Sequence, residues 1–580
     1  DRRRLTSGSW RSSWDLPERG RLLPKLADLA FGMQRGRADG GASQVRIRYD
    51  DALALLDCDD DERIVAAGEA LAVLDEDEAA DTLLYVHQLL QEYFAARRLA
   101  AAPGLAADLA RGAWREAEVQ PSLVAVLDSL DPADPLPPLP QTGWEETALL
   151  AAAMADPPDV FVAGLLEANL VLAGRCVMQD DVRDRLPRAM LDGLRWALVD
   201  RSRDPAADLR ERIAAGLVWG DLGDPRLSRR VGPHGDYLLP PLVTIPGGVY
   251  PIGDDAPIAW SAPGASGISE AHLPRHAVPI ATFQIGMAPV TNAEWTCFMA
   301  SGGYRDERWW DTDDGRRWQR GELPDEASLA NNRDWRRRFR EQPGAFERLV
   351  AEGRLGSEEA VERWRGWIAI DDNAFEAILA SRARFHHHVE PAYWRDSRHN
   401  RCAQPVVGLS WYEARAYCRW LAAQSGLAFR LPTEVEWEAA ARGLAGRRFA
   451  WGDAFDRLRA NTSEARLRQA SPVGIFPSGD TPDGLVDITG NVDEWTSSLW
   501  AGEHPYAPGF GYPYDPEDGR EDPAAAARER RIVRGGSSLF DRSLAQAVYR
   551  DGTYPDARPD AVGFRLVRSP TASSPEPGRR

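Results

Sequence analysis

SWYEARAYCRWLAAQSGLAFRLPTEVEWEAAARG, residues 410–443, reads as two helices opened by the same local device. Ser410 stands three residues before Glu413, and Thr433 three before Glu436. That is the spacing of a capping box, in which the hydroxyl accepts an amide of the first turn and the glutamate reaches back to the cap. Gly426 is placed to end the first helix, because glycine takes a left-handed terminal conformation at no steric cost. Arg430, Glu434 and Glu436 flank Trp437, so the charged groups can pair while the indole packs inward. Around this stretch Gly, Pro, Trp and Tyr are frequent and long helical runs are scarce. PPLVTIPGGVYPIGDD (Pro240–Asp255) reads as two short strands about a Gly-Gly turn. The composition predicts an irregular α+β domain held by tryptophan packing rather than by long sheets. Toward its end, Gly535–Gly536 permit backbone geometries closed to other residues. Gly563–Phe564–Arg565 predict a buried aromatic beside an Arg–carboxylate pair.

Upstream of about Arg230 the pattern differs. The chain is rich in Ala, Leu, Arg, Asp and Glu with apolar residues at helical spacing. In Asp81–Ala100 (DTLLYVHQLLQEYFAARRLA), Leu84, His87, Leu90, Gln91 and Phe94 are expected on one helical face. DPADPLPPLPQTGW (Asp131–Trp144) breaks the pattern as a linker or long loop. Four segments are expected: a helical region over 1–130, a linker and further helices over 131–237, the α+β domain over 238–570, and a disordered tail over 571–580. Within the third, 303–400 reads as an insertion, helix-like and rich in Trp and Arg.

Bulk properties narrow the function. At 580 residues the chain exceeds one core. No apolar run is long enough for a bilayer span, and no secretion signal opens the chain. It begins at Asp1 and reads as a fragment of a longer protein. A net charge of −19 disfavours nucleic acid and anionic membranes as partners. Five scattered cysteines without a CxxC pair suit a cytoplasmic location. No GxxxxGK[ST] loop occurs, so nucleotide hydrolysis is not expected of this chain. His386–His388 read as a polar surface stretch, since adjacent side chains diverge and rarely serve one metal.

From Leu238 on, the chain resembles the formylglycine-generating, sulfatase-modifying family. Seven blocks agree in order: LVTIPGGVYPIGDD, FQIGMAPVTNAEWTCF, QPVVGLSWYEARAYCRWL, FRLPTEVEWEAAARG, FAWGD, GLVDITGNVDEWTSSLW and RIVRGGSS…GFRLV. The resemblance implies a C-type-lectin-like fold with little regular secondary structure, joined to an all-α N-terminal region. The family's oxidases need cysteines between RGGS and GFR, but Ser538–Val562 contains neither Cys nor His. Thiolate is the nucleophile and the soft ligand in such chemistry. Copper is therefore not expected, and neither is catalysis. HQLLQEYFAA (His87–Ala96) is similar to a helix that follows the core of NACHT-type signalling NTPases. That resemblance implies a winged-helix and helical region, with an NTPase core upstream in the same polypeptide.

The final segment also resembles variable proteins of diversity-generating retroelements, which display changeable residues on this fold. Arg534–Ser537, Arg550, Pro555–Asp556, Arg558 and Gly563–Val567 would be the fixed frame. The display set would be Ser538, Leu539, Phe540, Asp541, Tyr549, Asp551, Tyr554, Ala557, Pro559, Asp560 and Ala561. Aromatics would supply area and carboxylates direction. The implied role is the ligand-recognition, sensor portion of a signalling or defence protein, with a macromolecular ligand at this surface. The alternatives are a formylglycine-generating-type oxidase and a degenerate structural or assembly module. Family calcium sites map onto Asp487, Gly490, Val492 and Glu494, with Asn461 matching a second site. Oxygen ligands of this kind suit a hard cation, so calcium is the cofactor implied.

Overall fold

The computed structural model describes residues 17, 20–38, 46–77, 79–131, 134–262, 265–351, 358–382, 386–502 and 508–569. The expected tail at 571–580 lies outside them. The chain forms two compact units, one of residues 1–123 with 137–225 and one of 124–136 with 226–580. The second therefore begins before Leu238, where composition placed the boundary. No described helix is long and apolar enough to cross a membrane.

The first unit is not all-α. Strands Arg46–Arg48, Thr82–Tyr85 and Leu74–Asp77 form a three-stranded antiparallel sheet in that order. With helices Leu22–Ala38, Tyr49–Leu56 and Asp61–Ala70, the chain order is helix, strand, helix, helix, strand, strand. The expected helix over Asp81–Ala100 begins instead with a strand, Thr82–Tyr85. Leu83 and Leu84 pair across the sheet, and His87 ends the extended run by accepting the Leu89 amide at 3.0 Å. The helix is Gln88–Ala100, with Gln91, Phe94, Ala95 and Leu99 inward. Helical periodicity was over-read here because Leu83 and Tyr85 alternate inward on a strand. Helices from Pro103–Leu109 to Leu209–Leu222 complete the unit.

In the second unit both capping boxes form, at Ser410/Glu413 and Thr433/Glu436. Gly426 closes the Trp411–Ser425 helix with φ of 70°. Around these helices the core is aromatic: Trp295, Trp411, Trp420, Trp437 and Trp495 are fully buried. Trp295 stacks on Tyr417 with centroids 5.3 Å apart. One four-stranded sheet runs Phe429–Arg430, Val567–Arg568, Phe283–Gly286, Leu242–Ile245, bringing the two ends of the domain together. The other runs Asp551–Thr553, Arg531–Arg534, Asp493–Leu499, Val562–Gly563, and carries the last loop.

The 303–400 insertion is helical, but its first part belongs to the main core. Tyr304, Trp309, Trp310 and Trp318 pack with Trp295 and Trp420. Only helices Glu326–Glu341, Pro343–Ala351, Glu358–Ala369 and Asp372–Arg382 build small cores of their own, around Phe339 and Phe346 and around Trp367 and Phe375.

Candidate functional site

Four arginines of the C-terminal segment each meet a buried glutamate. Arg534 and Arg442 share Glu438, whose Oε1 also accepts the Gly253 amide at 2.7 Å. Arg550 grips Glu434 through Nε at 2.7 Å and Nη2 at 3.0 Å. Arg565 grips Glu494 with two contacts of 2.6 Å, and the Trp437 indole N–H donates to the same carboxylate at 2.8 Å. Arg558 reaches Glu413 at 3.2 Å through two nitrogens. Glu413 is also the capping glutamate of its helix, so one carboxylate both starts a helix and fixes the last loop. Arg534 further donates to the carbonyls of Ala547, Val548 and Tyr549, wrapping the loop round its guanidinium. Bidentate carboxylates at Arg550 and Arg565, and carbonyl acceptors at Arg534, offset the cost of burying these charges. Gly536, at φ 70°, completes the turn; a Cβ there would lie 2.8 Å from Ala545 Cα.

A cleft of 720 Å³ opens between this anchored loop and the inserted helices. Gly552–Pro559 and Arg530 form one wall; Leu323–Asp334 and Trp318 form the other, with His386, His388 and Tyr393 also in the lining. The Asp325 side chain caps the Glu326–Glu341 helix, and Asp556 Oδ2 accepts the Ala327 amide at 3.1 Å, so the two walls touch at that helix start. Trp318 is stacked between Trp310, at 5.4 Å, and His388, at 4.9 Å. Arg558 Nη1 lies 2.7 Å from His388 Nδ1. A guanidinium can only donate, so Nδ1 accepts and the imidazole is the neutral Nε2–H tautomer. Burial, then the adjacent Arg558 charge, lower its pKa to about 3. The cleft thus combines aromatic faces, a neutral imidazole donor, a guanidinium and carboxylates.

The expected display surface divides. Tyr554, Ala557 and Pro559 line the cleft, and Asp560 is half-buried beyond them. Leu539, Phe540 and Asp541 lie elsewhere, where Phe540 O accepts the Ser463 amide; of these Leu539 is exposed. Ser538, Tyr549 and Ala561 are buried, correcting their assignment to an exposed set. Ser538 donates its amide to Asn491 O, and Tyr549 packs with Ile258, Leu544 and Val548. Asp551 is half-buried, and its pKa is pushed up to about 6 by burial against the lowering effects of the Gly552 amide and Arg530. Trp318, Asp334, His388, Tyr393 and Arg530 went unread. The insertion carried no motif, Arg530 lies one residue before the RIVRGGSS block, and the histidine run reads as surface.

The expected calcium loop is closed by other contacts. Glu494 gives both oxygens to Arg565, and Asp487 Oδ2 accepts the Gly474 amide at 2.6 Å. Gly490 and Val492 donate amides to Gly535 and Gly490 carbonyls, and Asn461 Nδ2 reaches Gln469 O and Asn491 Oδ1. An ion would have to take Glu494 from a guanidinium. Among the described residues no three His, Cys, Asp or Glu side chains are grouped to hold a metal. Cys297 and Cys418 sit in the main core, where burial raises both thiols, Cys418 to about 12. Neither lines the cleft.

A family profile described as "Sulfatase-modifying factor enzyme 1-like domain" matches residues 229–570, and the chain belongs to this family. The hercynine oxygenase of Mycolicibacterium smegmatis is 29% identical over 407 residues, covering 67% of this chain and 74% of its own. Two further hercynine oxygenases are spanned for about half their length, 55% and 54%. The inactive C-alpha-formylglycine-generating enzyme 2 of Bos taurus is 28% identical over 349 residues, covering 56% of this chain and 87% of its own. Among solved structures, Treponema denticola variable protein 1 aligns over 60% of this chain and 100% of its own, at 17% identity and a TM-score of 0.33. Hercynine oxygenases and formylglycine-generating enzymes at about 30% identity correct the expectation that the chain is no enzyme. It stands in an enzyme family, one with an inactive member among its relatives.

Proposed function

We propose that the second unit recognises a macromolecular ligand in the cleft between its last loop and its inserted helices. The observation that carries this reading is the convergence of Trp318, His388, Arg530 and Tyr554 on one 720 Å³ cleft. Aromatic and guanidinium groups on a fixed frame are what interfaces use as anchors. The first unit is proposed to relay occupancy to an NTPase core, on the resemblance of His87–Ala96 to NACHT-type proteins. The test is capture by the intact chain, with a photo-crosslinker at Ser328, which is exposed on the facing helix of the cleft. Wild-type protein is expected to trap a defined partner, and Ala557→Arg and Tyr554→Ala to lose it. Both residues are half-buried at the cleft, so the core is untouched. Capture unaffected by either change overturns the reading.

A second reading rests on the relatives' names: oxidative modification of a substrate bound in the same cleft. Thiolate-held copper does not fit the buried positions of Cys297 and Cys418, so no step is drawn through it. Incubating the chain with a cysteine-containing peptide, oxygen and either copper or ferrous iron decides this. Aldehyde or sulfoxide in the mass spectrum supports it, and unchanged peptide in every arm removes it.

A further inference from the structure

Arg530 differs from Arg550 and Arg565, which each hold a carboxylate with two nitrogens. It is 5% exposed, yet its acceptors are distant: Asp334 Oδ2 and Tyr554 Oη, each 3.4 Å from the same Nη2. Its Nε is buried without a partner. The guanidinia of Arg550 and Arg565 each have two oxygens of one carboxylate at 3.0 Å or less. A buried donor left unmatched costs free energy, and such a deficit inside a cleft points to a missing acceptor. Asp334 does not fill that role well. Its other oxygen is held at 2.7 Å by Arg337 on the inserted helix.

Resting on the recognition reading above, we propose that Arg530 seats a carboxylate of the ligand, which displaces Asp334 and bonds the guanidinium edge-on. Tyr554 lies against one face of the guanidinium, 4.6 Å from ring centroid to Cζ. The edge therefore remains for approach, and a planar carboxylate matches a guanidinium edge in two parallel bonds. Phosphate is the poorer fit, because Asp325, Asp334 and Asp556 line the same cleft and repel a dianion more than a monoanion.

The test titrates the intact chain by calorimetry with benzoate, benzamide and inorganic phosphate. Benzoate is expected to bind about tenfold more tightly than benzamide, a difference of about 1.4 kcal/mol. Arg530→Gln should erase that preference. Asp334→Asn, which removes the competing carboxylate, should strengthen benzoate binding several-fold, a gain that misfolding could not produce. No benzoate binding, equal binding of benzoate and benzamide, tighter binding of phosphate, or no gain in Asp334→Asn overturns the proposal. If those outcomes occur while Ala557→Arg still abolishes partner capture, recognition in the cleft stands and only the carboxylate seat falls.

Discussion

The last loop and the inserted helices face each other across the cleft and are held in opposite ways. Arg534, Arg550 and Arg565 and their glutamates are wholly buried, and each ion pair is supported by carbonyl or indole hydrogen bonds. The inserted helices rely on pairs open to water. Arg336 meets Asp372, which is 78% exposed, and Arg333 meets Glu376 with both partners about half exposed. Their links to the loop are the Ala327–Asp556 hydrogen bond and the long Asp334–Arg530 contact. Exposed pairs contribute about 0–1 kcal/mol, whereas stripping one partner from a buried pair costs about 3–5 kcal/mol. The loop wall of the cleft and Trp318 are thus fixed by the domain core, while the helices from Glu326 on are tied to the loop by weaker links.

The largest test of that contrast is Glu494→Gln, which leaves Arg565 buried beside a neutral amide. The expected loss is about 3–5 kcal/mol in urea unfolding. A midpoint close to wild type would mean that the loop is not anchored by its ion pairs.

Next in size is Asp551. Its folded pKa of about 6 lies above the unfolded carboxylate value, so the folded state holds the proton in between. Its contribution favours folding below about pH 4 and is lost as pH rises through about 6. Asp551→Asn should therefore gain stability over wild type at pH 7.5 but not at pH 4, on the order of 1–2 kcal/mol. Equal gains at both pH values would count against that raised pKa. His388 works in the opposite sense. Its pKa is depressed to about 3, so its neutral form contributes above about pH 6.5, and that contribution fades as pH falls toward 3. Unfolding curves of His388→Gln over this range should lack that acid-side slope.

Asp334→Asn should move stability by no more than about 1 kcal/mol, since the contact is long and water-exposed on one side. A larger loss would show that the inserted helices are as firmly fixed as the loop they face. Smallest of all, a thiol reagent at neutral pH should leave Cys418 unlabelled in the native chain and label it in urea. Native labelling would reveal an opening of the core that its buried position does not provide.

Much of the fold was legible because its signals are local. Both capping boxes and the terminal Gly426 are written within a few residues of the helices they bound, and both formed. The Arg565–carboxylate pair was expected from Gly563–Phe564–Arg565, though its partner Glu494 was assigned to calcium instead. The three-stranded sheet of the first unit is hidden in the sequence because a short strand, Thr82–Tyr85, is followed two residues later by a helix. Treating residues 538–561 as one exposed surface failed because exposure depends on what the loop folds against. Tyr549 faces Ile258, nearly three hundred positions earlier.

The sequence by itself determined the helix boundaries of residues 410–443, the aromatic core and the absence of thiols from the last loop. Only the tertiary structure decided which of 89 acidic residues meets which of 70 basic ones. It also decided that Trp318, His388, Arg530 and Tyr554 share a cleft. The physical reason is range. Caps and turns are satisfied by backbone groups a few residues away, so their partners are implied by spacing. The buried charges of the last loop are satisfied across 71 to 145 residues, and many pairings compatible with composition differ only in how well each donor finds an acceptor once the chain has packed.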